Sequence, residues 1–219
     1  RKLDRPRETI RLVMKLSGLS SSELAISDHR QTFAPIAGES GSYRVSIATE
    51  APDVPKQDPD PPAHLTRPEP YLDSNDAVVV RTAREVASDG TPHDRAKALA
   101  RWVKSNMAVD YTIGTPRSCT EILGKRRGVC RDYATLFTGL ARAAGIPTRT
   151  VGGLVYGDGR FYYHAWAECW MGRWLALDPT MGDGPVDATH IKLTQGGVTD
   201  MFRLVGAVGK IGIEVLEVS

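Results

Sequence analysis

The chain has 219 residues, 41% of them apolar and 25% charged, with a formal net charge of +2. That composition excludes a disordered or fibrous chain, and so mild a charge does not recommend nucleic acid or an anionic membrane as a partner. No apolar run approaches the roughly 18 residues that span a bilayer, and the length suits one ordinary domain with an appendage.

The chain opens Arg1-Lys2-Leu3 without a methionine, which reads as a processed form or a segment of something longer. Export, or life as the soluble part of a longer protein, is compatible with that start, and the compartment is left open. Residues 8–18 alternate apolar and polar, with Ile10, Leu12, Met14 and Leu16 on one face, and Gly18 closes the run. Residues 43–49 do the same through Tyr43, Val45 and Ile47. Both are strand patterns, so residues 1–50 form a β-rich N-terminal segment. Residues 51–70 hold seven of the chain's fourteen prolines. Proline at that density blocks helix and ladder alike, so 51–75 is a linker or strap, and the second domain is placed at 76–219.

In 94–107, Ala96, Leu99, Val103 and Met107 recur at helical spacing, with Asp94 near the start as cap or dipole partner. A second helix runs from Cys130, with Ala134, Phe137 and Ala141 on one face and Leu136, Leu140 and Ala144 beside it. Gly145 stops it and Pro147 prevents its return. Strand patterns follow at 148–156, 161–170, 173–178 and 211–218, the first two joined at Gly157-Asp158-Gly159. Helices first and a hairpin-linked sheet afterwards define an α+β fold. Two or three N-terminal strands need a partner surface, and pairing with 211–218 is preferred over an independent substrate-presenting unit.

The three cysteines, Cys119, Cys130 and Cys169, make no disulfide framework, contain no C-x-x-C pair and leave a structural zinc site unsupported. Cys130 is the one in a reactive setting. It follows Gly128 at a helix start, where unpaired N–H groups and the dipole favour a thiolate, with Lys125, Arg126, Arg127 and Arg131 nearby. His164, in 161-FYYHAWAECW-170, is the candidate to take its proton. If Trp170-Met171-Gly172 is a three-residue loop, His164 falls directly opposite Asp178, whose carboxylate can fix the imidazole tautomer. The Cys130 N–H is then a natural oxyanion donor. A second donor is not identifiable.

Several residues carry plainer readings. Cys119 and Cys169 read as small core residues. His29, His64, His93 and His190 sit in polar or linker contexts and read as solvated. Asp132 reads as a first-turn carboxylate on the helix dipole, with ordering of the site as the lesser alternative. The Lys125–Arg131 cluster reads as a solvated face, Trp102 as a helix core position, and Tyr133, Tyr162 and Trp166 as either cleft or core.

The stretches 128-GVCRDYA-134, 142-RAAGIPTR-149, 163-YHAWAE-168 and 174-WLALDPT-180 resemble the transglutaminase-like superfamily in its bacterial form. The likeness extends upstream to Arg101-Trp102-Val103, Tyr111 and Cys119-Thr120-Glu121-Ile122-Leu123, covering roughly 76–190. It departs at position 119, often a small apolar residue in that family. The resemblance implies a papain-like core with the nucleophile helix packed on an antiparallel sheet, and it maps a Cys-His-Asp triad onto Cys130, His164 and Asp178. Expected, then, is a thiol enzyme that forms a thioester from the amide bond of a protein or peptide, hydrolysis being favoured over transamidation. The chemistry requires no cofactor or metal. The rival is a non-catalytic binding or scaffold module on the same fold.

Overall fold

A computed structural model describes residues 2–19, 22–51, 60, 61, 63–207 and 209–219. In chain order the elements are β1 (Arg11–Ser17), β2 (Gln31–Pro35), β3 (Tyr43–Ala48), α1 (Ala77–Val86), α2 (Pro92–Asn106), β4 (Ala108–Val109), α3 (Cys119–Lys125), β5 (Arg127–Gly128) and α4 (Cys130–Ala143). There follow β6 (Thr148–Gly157), β7 (Arg160–Trp170), β8 (Trp174–Leu177), β9 (Ile191–Gly196), a 3-10 segment Val198–Ala207 and β10 (Gly212–Val218). The fold is α+β. Much of the expected strap, residues 52–59 and 62, lies outside the described residues.

α4 is the axis. It packs against α1, α2 and α3 on one side and β6 and β7 on the other. Every residue from Asp132 to Arg142 is buried, so the helix is enclosed all round rather than along one stripe. The small side chains of Ala165, Ala167 and Cys169 on β7 share the α4 core cluster, while Trp166 packs separately with Val151, Ala176 and Val186. The helix that begins at Cys130 thus lies on an antiparallel sheet of order β8-β7-β6-β9.

A second sheet, β10-β1-β3-β2, supplies Leu12, Met14, Leu16, Val45 and Ile47 to a cluster shared with Leu154, Tyr156, Ile191 and Leu193. β1 pairs with β10, so residues 212–218 complete the N-terminal sheet. Ile10, expected on the buried face, is 68% exposed, because β1 begins only at Arg11.

Local chemistry explains the helix boundaries. α2 starts at Pro92 rather than at Asp94: Thr91 is the cap and Asp94 closes a capping box with it. α1 escapes sequence reading because three successive valines obscure its period, yet Asp76 caps it by accepting the Val78 N–H at 2.8 Å. β2 and β9 are also absent from the sequence reading. Asp158 and Gly159, with φ of 45° and 84°, make the two-residue turn between β6 and β7.

The β7–β8 hairpin corrects the expected register. Its loop is Met171-Gly172-Arg173, flanked by the pair Trp170 and Trp174, one residue later than expected. Pairing therefore shifts by two: Ala167 faces Leu177, and Asp178 is diagonal to His164 rather than opposite it. A two-residue slip keeps each side chain on its face, so the two groups still meet.

Inside α4, a Cβ built on Gly139 would lie 2.2 Å from the Cys119 sulfur, which itself donates to the Thr135 carbonyl at 3.3 Å. Alanine for glycine in a helix ordinarily gains about 0.5–1 kcal/mol. Here Gly139→Ala is expected to cost roughly 1–3 kcal/mol through overpacking. Urea unfolding of Gly139→Ala, and of the double variant with Cys119→Ala, checks this: the double variant should recover most of the loss.

Candidate active site

Cys130 is the first residue of α4, so its N–H has no carbonyl one turn behind it. The turn before it is held by Asp132, whose carboxylate accepts the Val129 N–H at 2.9 Å and lies 3.3 Å from the Arg117 guanidinium. Gly128 makes room for this carboxylate, since a Cβ there would come within 2.4 Å of it. Asp132 thus shapes the turn, and Gly128 serves Asp132. Lys125, Arg126 and Arg127 are exposed as expected. Arg131 is not: it donates to the carbonyls of Gly114 and Thr115 and pins that loop.

β7 brings His164 to the head of α4. Its Nε2 lies 2.7 Å from Asp178 Oδ2, leaving Nδ1 for the hydrogen bond with Cys130. The Ala165 N–H also donates to the sulfur. All three expected residues are brought together. Asp178 is 2% exposed and its Oδ1 accepts from both N–H and hydroxyl of Thr180, at 2.8 and 2.6 Å.

The sequence reading of two histidines fails. His190 is buried, not solvated: its Nε2 lies 3.2 Å from Asp178 Oδ2 and its Nδ1 3.4 Å from Asp187 Oδ1. Arg7, from the N-terminal segment, pairs with Asp187 at 2.7 Å. His190 heads β9, the strand that the pattern does not reveal. The Asp187–His190 spacing is the signal that could have found it. His29 is likewise half-buried, 3.0 Å from Glu50. His64 and His93 are exposed as expected.

Burial raises the Cys130 thiol, but the hydrogen bond and charge of His164 outweigh it, and the net direction is below the ordinary value of 9.0. Burial alone would lower His164; the Asp178 carboxylate and Cys130 instead hold it up at about 10. Asp178 resists the upward push of burial through His164 and His190 and stays well below 3.8. Each of the two groups therefore favours the charged form of the other. By contrast burial drives Cys169 up to about 12 and Cys119 well above 9.0, consistent with inert core thiols.

Cys130 and His164 open onto a cleft of about 760 Å³, whose walls include Tyr133, Tyr156, Tyr162, Val155 and Met181. Tyr133 and Tyr162 thus belong to the cleft. Trp166 is buried, its ring stacked near that of His164 at 6.2 Å. Among the described residues, His164, Asp178 and His190 alone cluster closely enough to offer a metal three ligand atoms. The hydrogen bonds of both histidines to Asp178 account for that proximity.

A cysteine at the start of a helix thus faces a histidine on β7 and a carboxylate just past the end of β8, the arrangement expected of a papain-like core. Residues 80–179 match the transglutaminase-like superfamily, the family that the sequence motifs resemble. An uncharacterized protein of Mycobacterium leprae is 31% identical over 168 residues, covering 70% of this chain and 58% of its own length. The kyphoscoliosis peptidase of Mus musculus is 30% identical over 115 residues, 46% of this chain but 17% of that protein. The chain therefore spans less than two thirds of either curated relative. A solved structure of a proposed cysteine protease from Cytophaga hutchinsonii shares the fold at a TM-score of 0.63, with 16% identity, covering 96% of this chain and 86% of that one.

Alkylation by iodoacetamide, followed per cysteine by peptide mass spectrometry, should show Cys130 reacting far faster than Cys119 and Cys169. Its rate should rise through an apparent pKa below 9.0. In His164→Ala that midpoint should move upward, since burial and Asp178 both oppose the thiolate once the imidazolium is gone.

Proposed function

We propose that the protein is a thiol acyl-transfer enzyme acting on an amide bond of a protein or peptide. The observation that supports this reading is the meeting of Cys130, His164 and Asp178, the first two lining a cleft and the third buried behind them, with Cys130 at the N-terminus of its helix. The Cys130 thiolate attacks the carbonyl carbon, and the oxyanion forms beside the Cys130 N–H. The His164 imidazolium delivers its proton to the amide nitrogen as the C–N bond breaks, leaving a thioester and a free amine. Water then attacks the thioester with His164 as base, regenerating the thiol and releasing a carboxylic acid. Asp178 orients the imidazole and stabilises its charged form throughout.

Hydrolysis is preferred to transamidation. Among the described residues no dedicated amine site stands out, and the likeness of part of the chain to a peptidase leans the same way. The same three residues serve both outcomes, the difference being whether water or an amine reaches the thioester. Among the described residues no helix is long and apolar enough to cross a membrane.

Intact mass spectrometry with an activated ester tests the reading. An acyl adduct should accumulate on Cys130 and be absent in Cys130→Ala. Folded protein with no adduct would favour the binding-module alternative. Added primary amine should divert little of the product from acid to amide. His190→Ala should lower kcat about tenfold or more with KM little changed, the scale of losing an orienting partner, and His190→Gln should recover part of it by restoring a donor to Asp178.

A further inference from the structure

Cys130 and His164 stand in the wall between two cavities. One is the cleft of about 760 Å³; the other holds about 200 Å³, and Tyr163 joins Cys130 and His164 in lining both. The smaller cavity is otherwise built from Gly152, Ala165, Met201, Phe202 and Leu204, with Arg131 at one side. Three of these residues come from the 3-10 segment Val198–Ala207, which follows the superfamily match at 80–179.

That segment is firmly held. Tyr163 donates its hydroxyl to the Ala207 carbonyl at 2.7 Å, the Gly197 N–H donates to Asp200 at 2.8 Å, and Val198 and Met201 enter the α4 core cluster. Gly152 closes the floor: a Cβ there would lie 3.0 Å from Leu204 Cδ1 and 3.3 Å from Met201 Cγ. Met201 and Leu204 are buried, whereas Phe202 is 37% exposed.

The lining is apolar. Besides the Cys130–His164 pair its charged member is Arg131, which spends its guanidinium on the Gly114 and Thr115 carbonyls. A charged group entering would lose water and find as ionic partners only the Cys130–His164 pair, whose charges are already matched by each other and by Asp178, whereas an apolar one gains by leaving water. The volume falls below the range of about 300–1,000 Å³ that holds a drug-sized ligand, so it suits a single side chain.

We propose that Val198–Ala207 forms a specificity pocket for one bulky aliphatic or aromatic side chain beside the amide presented to Cys130, with Phe202 as the selecting residue at its mouth. This deepens the acyl-transfer reading and rests on it for the word substrate. The pocket's preference, however, is measurable without turnover, because a haloacetamide needs only the thiolate: the sulfur–carbon bond forms as iodide leaves.

The test compares Cys130 alkylation by iodoacetamide with that by N-isobutyl- and N-phenethyl-iodoacetamide, each normalised to its rate with glutathione. The apolar probes should gain about tenfold or more, the scale of burying one side chain, and an N-(2-aminoethyl) probe should gain nothing. Phe202→Arg should remove most of that ratio and Phe202→Ala part of it. Tyr111→Ala, in the larger cleft, should retain it. The pocket is overturned if the apolar probes gain nothing, if both Phe202 variants keep the ratio, or if Tyr111→Ala abolishes it instead. Apolar preference without any acyl adduct on Cys130 would sink the enzyme reading and leave the pocket. An acyl adduct without the preference would do the reverse.

Discussion

Asp178 is a carboxylate taken out of water, and much of the structure is arranged around keeping it charged. An unpaired charge at such depth costs several kcal/mol, so the fold must supply donors. It supplies four: the imidazoles of His164 and His190 on one oxygen, and the Thr180 N–H and hydroxyl on the other. These donors tie β7, the exit of β8 and the entrance of β9 to one atom group. His190 passes the constraint outward to Asp187, and Asp187 to Arg7.

The N-terminal segment is thereby part of the site's support rather than an ornament. Its sheet docks through an apolar cluster, but the polar contacts are more selective about where they fall. Glu50 pairs with Arg173 at 2.7 Å and accepts the Ala176 N–H at 3.0 Å, so it grips the β7–β8 loop and β8 together. Gln31 exchanges hydrogen bonds with the backbone of Lys192, whose ammonium meets Glu168 at 2.7 Å and Asp28 at 2.5 Å. β8 and β9 are the strands that flank Asp178 and His190. Residues far from the sulfur in sequence thus fix the geometry next to it.

The parts legible in the sequence were those set by local chemistry. The helix from Cys130 announces itself through period, Gly145 and Pro147; the β6–β7 turn announces itself through Asp158 and Gly159. His164 and Asp178 were found despite a register wrong by two, because strand parity survives an even slip. What escaped depends on tertiary context. Nothing near His190 in sequence shows that β9 will bury it against Asp178. Nor does Gly128 reveal that its missing side chain makes room for the Asp132 carboxylate.

The pairing of β1 with β10 also orders events in time. β1 is an interior strand, bonded to β3 on one side and to β10 on the other, and the backbone of Ser219 bonds to Ile10 and Arg11. While the chain is being made, one edge of β1 must stay open until residues 212–218 exist. Closing contacts between segments so far apart is slow, and open strand edges invite association with other chains. The layer that braces the strands around His164 and Asp178 therefore cannot be sealed before residues 212–218 are made, and until then that edge of β1 stays open to other chains.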